Sequence, residues 1–247
     1  MRVLFWGTPH YAINSLNSIN ESKHDVVAVV TQPDKKRERG NKLSPSPIKR
    51  RALELGLMVY TPSNIKIQYE FQHELEQLNA DIFVVVAFGQ LLPIPILNQP
   101  PMGCWNSHAS LLPRWRGAGP IQWSLISGDK STGIAIMSME EGLDTGPVLI
   151  QKETPINFLE NAAQLSNRLS MISGSLLIEA LDKIERVGWG TQSQRLKNLD
   201  VKYQDDMTCK PTYARMIKKS DNIINWDKPT SLIHQQVMGL YPQAYTY

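Results

Sequence analysis

Apolar residues in this chain come in short continuous runs separated by amphipathic or polar stretches. "RVLFWG" (2–7) reads as a buried strand stopped by Gly7 and Pro9, and a helical pattern follows to about residue 22. "DVVAVVTQ" (25–32) is a second run, apolar on both sides, as a strand covered on both faces requires. "SPIKRRALELG" (46–56) predicts a helix with Ser46 as cap, Pro47 in the first turn and Gly56 at the end. A short strand at "MVYT" and a helix near 69–79 lead into "DIFVVVAFG" (81–89) and then "GCWNSH" (103–108). "STGIAIMSME" and "PVLIQKETPI" predict a hairpin around "EGLDTG" (141–146), and a long helix is expected over about 160–187.

Strands alternating with helices define βαβ units, hence an α/β, Rossmann-like, mostly parallel sheet with helices on both faces. Ligands of such sheets bind beyond the carboxyl ends of the strands. The loops after Phe88, after His108 and after the strand at 131–139 therefore carry the candidate chemistry. Residues 190–222 are polar and without sustained periodicity, and are expected to form a linker after a catalytic domain at 1–189. Residues 223–247 read as the start of a second domain that stops early, with a helix near 231–242.

Composition narrows the function. A 42% apolar and 20% charged chain is ordinary for a soluble domain, and no apolar run is long enough for a membrane span. A cytoplasmic monomer is expected. Cys104 and Cys209 stand far apart and the five histidines lack ligand spacing, so no metal is expected. "GTPHYA" has one glycine where a dinucleotide fingerprint needs several, which disfavours NAD, and no P-loop occurs. Residues 34–51 have a local charge of +6 against −3 for the remainder. Such a segment is commonly just a solvated face. Here it follows the second strand, on the edge proposed for the site, where its cations can neutralise phosphates.

Asn106 and His108 are two apart on a predicted strand and so share a face. An N-x-H is more often structural than catalytic. Asp144, in a loop between Gly142 and Gly146, makes a third polar group that can reach the imidazole. The trio suits acyl transfer to an amine: amide and imidazolium stabilise an oxyanion, and imidazole or carboxylate takes a proton. Ser107 points to the opposite face and Cys104 has no basic partner, so no nucleophile is implied.

"FWGTP", "TQPDK…RGNKLSPSPIK", "VVAFGQLLP", "NSHASLLPRWRGAGPIQW" and "EEGLDTGPVL" together resemble the methionyl-tRNA formyltransferase family, in its order and spacing. The resemblance extends through "TYARMIKKSDNIINW" (212–226) and covers essentially the whole chain. It implies a formyltransferase fold followed by a C-terminal β-barrel, of which only the beginning is expected here. It implies Asn106, His108 and Asp144 as the catalytic trio and 10-formyltetrahydrofolate as formyl donor. Folate contacts are implied for Phe88, Gly89, Leu91, Ser110, Leu111, Leu112 and Pro113. Methionyl initiator tRNA would be met by Lys35, Lys36, Arg37, Arg39, Asn41 and Lys42, and Trp115 is a candidate for stacking on a base. Asn41 departs from the family's usual basic residue. Two alternatives remain: a formyltransferase acting on an amino sugar attached to a nucleotide, and a non-catalytic folate- or RNA-binding remnant.

Overall fold

The structure is a computed structural model that describes residues 1–37, 42–188 and 190–247. Its central sheet uses β1 (Arg2–Gly7), β2 (Asp25–Val30), β5 (Val59–Tyr60), β6 (Ile82–Val86), β7 (Cys104–His108), β9 (Ser131–Ser138) and β10 (Val148–Pro155). The spatial order is β10-β9-β7-β6-β1-β2-β5. The five strands from β5 to β7 are parallel, and β9 and β10 add antiparallel to β7 as the expected hairpin. β3 (Lys35–Arg37) and β4 (Lys42–Ser44) pair with each other, and β8 (Arg116–Gly117) pairs with β11 (Tyr213–Ala214).

Alternation along the strands sorts their side chains between two layers. Val3, Phe5, Val84, Val86, Trp105, Ile134 and Ile136 face α1 (Ile13–Asn20) and the long α6 (Ala162–Val187). Leu4, Trp6, Phe83, Val85 and Cys104 face the opposite side, covered by α3 (Tyr69–Gln77) and α4 (Ile94–Leu97). α2 (Pro47–Glu54) starts where the sequence placed it, since the Ser46 hydroxyl accepts from the Lys49 amide at 2.9 Å. A capping box between Asn161 and Gln164 starts α6.

α5 (Pro120–Ile126) follows the loop after β7 and packs against α8 (Thr230–Leu240). Residues 190–222, expected as a linker, hold more structure than their polarity suggested. They contain α7 (Gln192–Asn198), begun by a Thr191–Gln194 capping box, and strand β11. Leu196 and Leu199 anchor this segment in the main core. Among the described residues, no helix is long and apolar enough to cross a membrane.

Candidate active site

β7 places Asn106 and His108 on one face, as period-2 geometry requires, and the loop after β9 folds over that face to bring Asp144 against them. The Asn106 amide donates to Asp144 Oδ1 at 3.3 Å. The backbone N–H of Gly117 donates to Asp144 Oδ2 at 2.8 Å, and His108 Nδ1 lies 3.7 Å from that same oxygen. Three polar groups separated by up to 38 positions in the chain thus meet at one point.

The imidazole is fixed from its other side. His108 Nε2 is 2.8 Å from the Trp115 carbonyl, which can only accept, so Nε2 carries the hydrogen in the neutral ring. Nδ1, facing Asp144, is then the nitrogen that can gain or give up a proton. His108 is 6% exposed, so the ring has little freedom to leave this arrangement.

Ser107 points to the opposite layer, where its hydroxyl meets Ser173 at 2.7 Å. Cys104 shares the Asn106 face, and burial pushes its thiol well above the ordinary range. Neither is poised as a nucleophile.

The residues expected to meet folate do not share one cavity. Leu111, Leu112 and Pro113 line a cavity of about 700 Å³ with Thr132, Gln151 and Met207. Phe88 is packed edge-on against Trp6 at 5.1 Å, its carbonyl taken by Thr8, while Gly89 and Leu91 are exposed on the loop beyond. Ser110 is fully buried and donates to the Arg114 carbonyl at 2.6 Å. A second cavity, about 410 Å³, was not anticipated; Ile94, Leu97, Cys104 and Met139 line it, with Glu140, Glu141 and Arg195 at its polar parts. It reaches β7 one same-face position before Asn106.

The basic segment is a hairpin at its base rather than an unpaired loop: Lys35 pairs with Ser44 and Arg37 with Lys42. Lys35 is exposed; Lys36, Arg37 and Lys42 lie on the two strands, and Arg39 and Asn41 fall outside the described residues. Lys49 and Arg51 are engaged internally, by Asp34 and Glu54. Trp115, a candidate for base stacking, is buried; its indole donates to Asp129 at 2.7 Å and its ring stacks on Trp123.

His24, Asp182 and Glu185 come within metal-binding distance of one another, but at the amino ends of the strands, away from this site. The Lys23 and N-terminal ammonium groups already neutralise them.

Sequence reasoning missed four residues that build the site: Trp115 and Gly117 through their backbones, and Gln204 and Thr212 through their side chains. Gln204 donates to the carbonyls of Asp144 and Gly146, and Thr212 accepts from the Trp115 amide. Both lie in the segment read as a linker. One readable signal was present, the T-x-x-Q capping box at 191–194 followed by Leu196 and Leu199.

The formyl transferase family model matches residues 1–181, and the chain belongs to that family. Solved structures share the fold, among them a 4-N formyltransferase from Francisella tularensis (TM-score 0.72, 17% identity, 99% of this chain and 91% of that one). A phosphoribosylglycinamide formyltransferase from Streptococcus pneumoniae superposes with TM-score 0.63 and 19% identity, over 74% of this chain and 98% of that one.

Within the family the chain is a member of the methionyl-tRNA formyltransferases. It is 56% identical over 244 residues to the methionyl-tRNA formyltransferase of Prochlorococcus marinus strain MIT 9313, covering 99% of this chain and 71% of the relative. It is 54% identical over 246 residues to that of Synechococcus sp. strain WH7803, covering 100% of this chain and 72% of the relative.

Proposed function

We propose that this chain transfers a formyl group from 10-formyltetrahydrofolate to the α-amino group of methionine carried on initiator tRNA. The convergence of Asn106, His108 and Asp144 on one point carries the reading, supported by the 56% identity to a relative of that name.

The donor supplies the formyl carbon, bonded to nitrogen and open to attack. The residues present suit it. The 410 Å³ cavity has room for a flat heterocycle, with Ile94, Leu97 and Met139 as apolar walls and Asn98, Ser138, Glu140, Glu141, Gln192 and Arg195 as polar ones, and Leu111 and Pro113 offer aliphatic surface on the neighbouring loop. Folate contacts of the 88–91 and 110–113 loops belong to the same proposal and rest on the likeness to the family.

In transfer, the amine nitrogen bonds to the formyl carbon and gives up a proton, the carbonyl oxygen takes up negative charge, and the bond from carbon to the donor nitrogen then breaks as that nitrogen takes a proton in turn. Asn106 has two amide hydrogens; one meets Asp144 and the other is available to the oxyanion. His108, with Nε2 held by Trp115, presents Nδ1 as the second donor when protonated. Asp144 accepts from Asn106 and Gly117 and retains lone pairs for the proton the amine must lose.

The test is formyl transfer to charged initiator tRNA by wild type and His108→Ala. Loss of one oxyanion donor should slow turnover on the order of 100-fold or more. Equal rates would refute the assignment.

A further inference from the structure

The groups that set the catalytic geometry hang on a segment beyond the family match, which ends at residue 181. We infer that Gln204 and Thr212 are positioning residues: Thr212 aims His108 through the Trp115 backbone, and Gln204 holds the Asp144 loop in place. The inference rests on the functional reading above and names the parts of the chain that keep its site assembled.

Two backbone conformations need an explanation. Trp115 sits at φ +62°, in the left-handed region that bulky residues avoid, and Asp144 at φ +53°, where an aspartate is better tolerated. Each is held there by a side chain from the 204–212 segment. Thr212 Oγ1 accepts from the Trp115 N–H at 2.9 Å, while the Trp115 indole is tied to Asp129. With both ends fixed, the Trp115 carbonyl points at His108 Nε2 and selects the tautomer that leaves Nδ1 toward Asp144.

Gln204 is 3% exposed and both polar atoms of its side chain are engaged. Its two amide hydrogens go to the carbonyls of Asp144 (2.9 Å) and Gly146 (2.7 Å), and its oxygen accepts from Arg116 Nε at 2.9 Å. One side chain thereby links the loop carrying Asp144 to the loop carrying Trp115 and Gly117. Pairing of β8 with β11 closes the same joint, since Arg116 N–H donates to the Thr212 carbonyl at 2.8 Å and Gly119 N–H to Ala214 at 3.1 Å. Gly117 is glycine for this reason: at φ +110°, a Cβ would stand 2.8 Å from the Ala214 oxygen.

The experiment compares wild type, Gln204→Met, Thr212→Val, Thr212→Ser and His108→Ala in steady-state formyl transfer to methionyl initiator tRNA. Nitrogen NMR reads the His108 tautomer in parallel, and thermal melting checks folding. Gln204→Met and Thr212→Val should each lower kcat on the order of 10- to 100-fold, with KM for both substrates within about threefold. Thr212→Ser keeps the acceptor oxygen and should stay within about twofold of wild type. Thr212→Val should also move the His108 nitrogens from a single tautomer toward a mixture.

A Thr212→Val enzyme with wild-type kcat and unchanged His108 shifts, beside an inactive His108→Ala, overturns the inference and spares the functional reading. A fully active His108→Ala instead overturns the functional reading. If Gln204→Met fails to fold, the Thr212 pair decides alone.

Discussion

Asp144 accepts two hydrogen bonds through its carboxylate and a third, from Gln204, through its carbonyl. Holding one carboxylate this firmly depends on a residue that has no side chain, Gly146. A Cβ at 146 would run into the carbonyl oxygen of Ser138 at the end of β9, so any larger residue must push the loop away from the sheet. Gly146→Ala should therefore cost about 1–3 kcal/mol of stability in urea melts, as overpacking commonly does. Its kcat should fall more than about tenfold, because a displacement of 1 Å is enough to spoil an attack geometry. Unchanged turnover would mean that the position of Asp144 is not what sets the rate.

Elements whose signals are local were legible in the sequence. The apolar runs gave β1, β2, β6, β7 and the β9–β10 hairpin, and Ser46 and Gly56 bracketed α2 from their own chemistry. Asn106 and His108 were readable as a pair because strand period is local too. Trp115, Gln204 and Thr212 were not, because their roles arise from contacts 7 to 97 positions apart that no periodicity encodes. The C-terminal segment in which two of them lie carries an ion pair of its own, which gives a pH signature. Arg215 binds Asp221 through both carboxylate oxygens at 2.7 Å. That guanidinium, helped by the Lys218 amide and opposed by burial, holds the Asp221 carboxyl at about 2 against an ordinary 3.8. An acid depressed by folding stabilises fully above its unfolded pKa, and the contribution is lost as pH falls through the folded value. Asp221→Asn should thus melt below wild type at about pH 7. The gap should close as pH falls from 3.8 to about 2. A gap that persists in stronger acid would assign the stability to something other than this pair.

Across the whole molecule, the distribution of charge bears on the acceptor proposed for the site. The excess lies in one segment, residues 34–51, while the rest of the chain is slightly acidic. Asp34 takes Lys49 and Glu54 takes Arg51, and the hairpin bearing Lys35, Lys36, Arg37 and Lys42 is built after β2, at the sheet edge where the strands end. A small sugar nucleotide has no use for a cationic hairpin of that extent, whereas a tRNA acceptor arm presents a phosphate at every step. Binding of initiator tRNA should then weaken steeply between about 50 and 200 mM salt. Replacing Lys35, Lys36, Arg37 and Lys42 together by alanine should flatten the slope of log K against log salt by roughly 3 to 4, one counterion released per phosphate contact. The reaction at saturating tRNA should keep its kcat, since none of the four belongs to the catalytic trio. An unchanged slope in the quadruple variant would detach the hairpin from tRNA and return the amino-sugar acceptor to consideration.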